Sequence, residues 1–172
     1  MPWTHKQFFM NAVPATVVDT VGKPVHRLAK GLNLLQPLLA LCVRVWVGLQ
    51  FWKSGVLKLQ SWDSTLYLFR DEYRVPVLPP ELAAVVGTFG ELFFPVLLFL
   101  GLFGRLGALG MSAVNIMAVV SYAHVLLSPG FEGAIAQHVL WGFMLVVLIV
   151  YGPGRISLDH LLFGRKDAAG PV

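Results

Sequence analysis

The sequence predicts an all-α integral membrane protein: a four-transmembrane-helix bundle with a short interfacial helix between spans one and two. Three observations carry this expectation. Of the 172 residues, 56% are hydrophobic and 13% charged, where a soluble domain has about 45–50% and about 25%; the mean hydropathy is +0.71. The apolar residues gather into stretches near the length, about 20 residues, that crosses a hydrocarbon core. The basic residues sit between and beside those stretches, as topology signals do. The formal charge of +4 therefore does not point to nucleic acid. Cys42 is the sole cysteine, which excludes an internal disulfide, a CxxC pair and a cysteine-rich metal site.

Taken in order, residues 1–33 form a basic N-terminal tail, with Lys6, Lys23, His26, Arg27 and Lys30 against Asp19. Trp3, Phe8, Phe9 and Met10 suit part of it to the membrane surface. It lacks a short apolar core followed by a small-residue cleavage site, so no cleaved signal peptide is expected. The membrane domain covers residues 34–152. Span one runs over about 34–57, with Lys53 and Lys58 marking its far end. At helical spacing Arg44, Gly48, Phe51, Gly55 and Lys58 share one stripe, and the glycines invite close approach of a second helix. Lys53 lies on the opposite side, placed to snorkel to headgroups.

Residues 60–80 form the outer loop. Within it Trp62, Leu66, Phe69 and Tyr73 align at helical spacing, the pattern of a short amphipathic helix, which Pro76, Pro79 and Pro80 end. Span two, about 82–103, carries Glu91 as its one formal charge, and Pro95 a turn later is expected to kink it. Gly104-Arg105 makes a tight turn into span three, about 106–127, with Asn115, Tyr122 and His124 as its polar groups. Span four, about 134–151, opens with Gln137 and His138, and residues 153–172 form the C-terminal tail. Lys6, Lys23, Arg27, Lys30, Arg105, Arg155, Arg165 and Lys166 fall on one side of this arrangement. Lys58, Arg70 and Arg74 fall on the other, offset by acids. The positive-inside rule then makes both termini cytoplasmic.

An arginine at the centre of a membrane helix costs roughly 2.5–3.5 kcal/mol on insertion scales, so Arg44 needs a partner. Counted at about 1.5 Å per residue, Arg44, Glu91 and Asn115 all fall near the midplane. An Arg44–Glu91 pair completed by Asn115, with Tyr122 on Asn115's face, is expected. Such a pair either holds the bundle in register or serves a ligand or protons directly. His124 and His138 form a second level near the outer interface. They are low-ranking candidates, with Lys53, for an outer-side site: two histidines without a third ligand make haem or copper the weaker expectation, and no metal site is assigned. Phosphate-binding loops, hydrolase triads and nucleic-acid motifs are absent from the sequence.

The pattern resembles the DoxX family of small four-helix membrane proteins. The pieces that match are Arg44 and then Gly48-Leu-Gln-Phe51-Trp-Lys-Ser54-Gly55-Val-Leu-Lys58-Leu59, Glu91 with the Leu-rich run to Gly101 and the Gly104-Arg105 turn, and Tyr151-Gly152-Pro153-Gly154-Arg155-Ile156-Ser157-Leu158-Asp159. The last looks like the family's closing GPG-x-x-SLD stretch. The match covers about Leu38 to Leu162. The long segment 60–80 and the basic N-terminal tail depart from the shortest members. The resemblance implies an inner-membrane subunit or anchor of a redox assembly, linked to quinone or thiol chemistry, with a soluble or membrane oxidoreductase as partner. Quinone is the cofactor this implies, near Arg44 and Glu91, and whether the chain is itself catalytic stays open. Membrane lipids are partners in any case, and a homo-oligomer is compatible with the sequence. Two alternatives stand beside this reading: a non-enzymatic membrane assembly or stress protein, and a small transporter or metal-handling protein using His124 and His138.

Overall fold

In the computed structural model, residues 22–164 are described. The stretch 1–21, with Trp3, Phe8, Phe9 and Met10, and the closing residues Arg165 and Lys166 lie outside them. Among the described residues the structure is helical, without strands. Four helices are long and apolar enough to cross a membrane: α1 (Lys23–Gln60), α3 (Pro80–Leu100), α4 (Gly104–Ser121) and α6 (Glu132–Tyr151). Short helices α2 (Trp62–Tyr67), α5 (Ala123–Leu126) and α7 (Leu158–Leu162) join or follow them. The chain divides into two units at Pro37. In the first, residues 23–36 belong to α1 and are exposed. The second contains everything described below.

The stripe Arg44, Gly48, Phe51 and Gly55 is the buried face of α1. Its glycines are required by contact. A Cβ on Gly55 would stand 2.8 Å from Leu92 Cγ and 3.1 Å from Glu91 Cβ, so α1 and α3 meet almost backbone to backbone. The main core joins Val47 and Phe51 of α1, Leu98 of α3, Ala108 and Met111 of α4, and Leu145 and Leu148 of α6. Outward-facing positions such as Phe89, Phe143 and Val150 are apolar and exposed, because lipid and not water is the solvent there.

Between α1 and α3 the chain follows α2 and then a wide π turn, Leu68–Glu72. Thr65 Oγ1 donates to the Lys58 carbonyl at 2.9 Å, one of the carbonyls that the end of α1 leaves without a helical partner. Phe69 is buried against Ala83 and Ala84, with Trp62, Leu66, Tyr73, Val75 and Leu78 around it. This segment covers one end of the bundle, here termed the loop end.

The opposite, tail end is closed by the stretch after α6. Gly101 ends α3 at φ 62°, and Phe103 precedes α4 at φ 47°. The Asp159 carboxylate accepts from the backbone N–H of Phe103 at 2.7 Å and of Gly104 at 2.8 Å. It caps α4 from a distant part of the chain, satisfying donors that a helix start leaves bare. Asp159 N–H in turn donates to the Gly101 carbonyl at 3.0 Å, and Ser157 Oγ caps α7 by accepting from His160 N–H.

Asp159→Ala removes two charge-assisted bonds and is expected to cost about 1.5–3 kcal/mol, read as a lower thermal midpoint in detergent. Asp159→Asn, which keeps one acceptor oxygen, loses less. An unchanged midpoint for Asp159→Ala means that the carboxylate does not hold the α3–α4 turn.

Candidate functional site

Arg44 and Glu91 do not meet. The partner of Glu91 is Lys58, whose ammonium lies 2.7 and 2.6 Å from the two carboxylate oxygens and donates to Ser54 Oγ at 2.8 Å. Both charged side chains are 11% exposed. All three ammonium protons thus have acceptors, the condition under which a buried pair is tolerated. Ser54 and Lys58 are one turn apart on α1, and Gly55 between them lets Glu91 come close.

Arg44 belongs to the tail end. It is 1% exposed and packs against Gly101, where a Cβ would stand 1.8 Å from its Nη1. Its Nη2 donates to the Ile156 carbonyl, while Nε and Nη1 are buried without a hydrogen-bond partner among the described residues. The Asp159 carboxylate supplies the opposing charge. The expected depth fails for a geometric reason. α3 ends beside Arg44, so Arg44 lies level with the end of that span and not its middle. Lys58 stands fourteen residues further along α1, about 21 Å of helix axis.

Asn115 is likewise not part of an Arg44–Glu91 cluster. Its Nδ2 donates to the His138 carbonyl at 3.0 Å, and its Oδ1 lies 2.8 Å from His138 Nδ1. The first bond fixes the amide orientation, so Oδ1 is the acceptor of the second. The neutral imidazole then carries its proton on Nδ1 and keeps Nε2 as an acceptor. His138 also packs edge-on to Trp141 at 4.9 Å, and Trp141 to Phe51 at 5.4 Å. His138 is therefore part of the bundle interior and not of an outer level with His124. His124 is exposed, its ring against Tyr122 at 5.4 Å. The two histidines do not form a site, and no group of three or more His, Cys, Asp or Glu side chains suited to a metal occurs among the described residues. Lys53 is exposed and remote from these groups.

Lys58, Glu91, Ser54, His138 and Trp141 line a cavity of about 660 Å³, with Phe51, Phe69, Tyr73 and Tyr122. That lies within the roughly 300–1,000 Å³ of small-molecule sites, which combine apolar walls with a few placed polar groups. Tyr122 reaches the cavity because α4 breaks after Ser121. The freed Ser121 carbonyl accepts from Arg74 N–H of the loop at 2.8 Å, bringing Tyr73 within 5.2 Å of Tyr122, ring to ring. Burial pushes the Tyr73 phenol above its ordinary pKa, and the Glu91 carboxylate adds to the shift. Tyr73 therefore remains a proton donor at neutral pH. Lys58 and Tyr73 were the groups hardest to foresee. Lys58 lies on the glycine stripe, but its position near a span end reads equally well as a topology marker.

These features define a class: a four-helix integral membrane protein with a largely apolar cavity bordered by a buried ion pair. The chain belongs to the DoxX family, whose model matches residues 39–124. An uncharacterised protein of Haemophilus influenzae is 26% identical over 129 residues, which span 71% of this chain and 82% of that one. No solved structure matches the chain.

If Lys58 and Glu91 depend on each other, Lys58→Met or Glu91→Leu alone leaves an unpaired charge and costs about 3–5 kcal/mol. The double variant should regain part of the folded, monodisperse yield, whereas Arg44→Leu and Glu91→Leu should combine additively. Recovery in the Arg44/Glu91 double but not in the Lys58/Glu91 double would reverse the pairing.

Proposed function

We propose that the chain is the membrane subunit of a redox assembly and that its cavity binds a quinone. The observation that carries this reading is the cavity, which sets a fixed ammonium, a protonated phenol and an imidazole acceptor in a mostly apolar wall of aromatic and aliphatic side chains. That donor set suits a flat ring with opposed carbonyl oxygens. A bound quinone supplies two-electron, two-proton acceptor chemistry. The chain's part is to bind and orient: the Tyr73 hydroxyl would donate to one carbonyl oxygen, the Lys58 ammonium, held in place by Glu91 and Ser54, would set its positive charge near the other, and Phe51 and Trp141 would pack on the ring. The Asn115 bond holds the His138 tautomer, leaving Nε2 to accept a proton or a hydroxyl hydrogen bond. Electrons come from a partner oxidoreductase, in keeping with the expectation attached to the family.

Purified in a mild detergent, the chain should bind a short-tailed 1,4-benzoquinone saturably. Lys58→Arg and Glu91→Gln should weaken binding several-fold at matched folded yield, and His124→Ala should leave it unchanged. A pulldown should recover an oxidoreductase. Saturable quinone binding that is indifferent to both Lys58→Arg and Glu91→Gln places the ligand elsewhere, and no saturable binding at all overturns the reading.

We further propose an inner-membrane location with both ends cytoplasmic, supported by the bias of Lys and Arg to the tails and the α3–α4 turn. In a Cys42→Ser background, a cysteine at Ser64 or Ser128 should react with an impermeant thiol reagent applied from outside. Reaction at Ala168 but not at Ser64 reverses the orientation.

A further inference from the structure

The cavity wall is not closed on every side. The loop end is covered by Phe69 seated on Ala83 and Ala84 with the aromatic and aliphatic residues around it. Toward the tail end, Phe51 and Met111 merge into the main core. The α1–α3 seam is shut by the Gly55–Leu92 approach, and the α4–α6 side by the paired Asn115–His138 bonds. The α3–α4 seam is closed where Gly90 meets Val114 and Gly110 meets Phe94, a Cβ on Gly90 standing 2.8 Å from Val114 Cγ2. At the loop-end edge of that closure, by contrast, the lining includes side chains that face outward. Phe89 is 60% exposed, Val86 50% and Met117 38%, and Ala113 beside them is also exposed, yet all four border the same cavity as Lys58 and Tyr73. In a bundle whose flanks lie in lipid, a side mouth of this kind opens on hydrocarbon and not on water.

We propose that the cavity is loaded sideways from the bilayer through the α3–α4 seam, and that its ligand is a membrane-dissolved carbonyl-bearing ring whose apolar tail remains in that seam. This rests on the quinone reading and adds the route, the orientation and the need for a tail. The chemistry is polarised along the cavity. The ammonium–carboxylate pair and the Tyr73 hydroxyl supply the polar contacts for a ring, while the mouth offers Val86, Phe89, Ala113 and Met117, with no charge or hydrogen-bonding side chain among them. A tail leaving this way gives up no hydrocarbon environment. A tail leaving through the loop end would have to displace Phe69 from its packing. The α3 flank of the mouth is flat as well, Phe89 and Phe93 being stacked at 5.1 Å with 13° between the rings.

The probe is a short-chain 1,4-benzoquinone carrying a benzophenone at the end of its alkyl tail, added to the full chain in phospholipid nanodiscs. After irradiation, labelled residues are mapped by mass spectrometry with and without excess unlabelled quinone. Labelling that is competed away and falls at or next to Val86, Phe89, Ala113 or Met117 is the expected result. Competed labelling within residues 61–79 means entry through the loop end, which overturns this proposal and leaves the quinone reading intact. Labelling that excess quinone does not compete removes the quinone reading and this inference together. Ala113→Trp, on the mouth, should lower competed labelling several-fold at unchanged elution volume. Val139→Trp, on the exposed face of α6, should not. Equal labelling in wild type and Ala113→Trp also overturns the proposal.

Discussion

Bringing an ammonium and a carboxylate between two apolar helices costs several kcal/mol per ion, and only tight geometry with every donor satisfied offsets it. The Lys58–Glu91 pair meets that condition through its surroundings. Ser54 takes the remaining ammonium proton, Gly55 lets α3 come within reach, and Thr65 holds the Lys58 carbonyl as the chain turns into α2. The position of α2, the seating of Phe69 and the route of the loop back to α3 all follow from where Lys58 must be held. Between the pair and the core below it a volume is left that aromatic side chains border but do not fill. The cavity is thus a consequence of where the charges are placed.

The tail end solves a different problem. Arg44 is more deeply buried than either member of the ion pair, yet its contacts are to a backbone carbonyl and to the bare face of Gly101. The Asp159 carboxylate is occupied by the N–H groups of Phe103 and Gly104, and acts on Arg44 through its field. The closing Gly-Pro-Gly-Arg-Ile-Ser-Leu-Asp stretch therefore ties three helices at one end: α1 through Arg44, and α3 and α4 through the turn between them. Gly152 and Gly154 adopt positive φ there, and a Cβ on Gly154 would come within 3.0 Å of Ala40. The motif makes a structural clasp around Arg44, whose Nε and Nη1 are left without hydrogen-bond partners among the described residues.

Much of the architecture was legible because lipid imposes a simple rule. Long apolar runs must be helices, and the glycine stripe of α1 showed which face another helix would approach. The family resemblance likewise rested on residues that the structure ties together. The partner of Glu91 was not legible. Counted from a span start near Leu34, Arg44 falls level with Glu91, but the end of α3 lies beside Arg44 itself, further along α1 than Leu34, so it is Lys58 that stands level with Glu91. His138 was misplaced for a related reason: its nearness to a helix start suggested an interface, but Asn115 draws its ring inward. The break after Ser121 and the π turn at Leu68–Glu72 leave no local mark in the sequence. They accompany tertiary contacts, the Arg74 N–H bond to the Ser121 carbonyl and the packing of Phe69 on Ala84, which no residue announces alone.

The two ends can be separated by what each would lose if its charges were replaced by apolar side chains of similar volume. A buried ion pair that only fixes a fold is often dispensable under that exchange. At the tail end the Asp159 acceptors serve backbone N–H groups that would be orphaned, so the cost falls on the fold. At the loop end the charges serve mainly each other, and the surrounding contacts of α1 with α3 are glycine-mediated and apolar. A matched apolar pair at 58 and 91 could preserve those contacts while erasing the polar contacts facing the cavity. On the proposed function, that is why the pair stands where the cavity is: its energetic cost is carried at the place where a ligand needs a fixed positive charge in an apolar wall. The clasp at the tail end holds the helices together there, so the loop end can remain hollow.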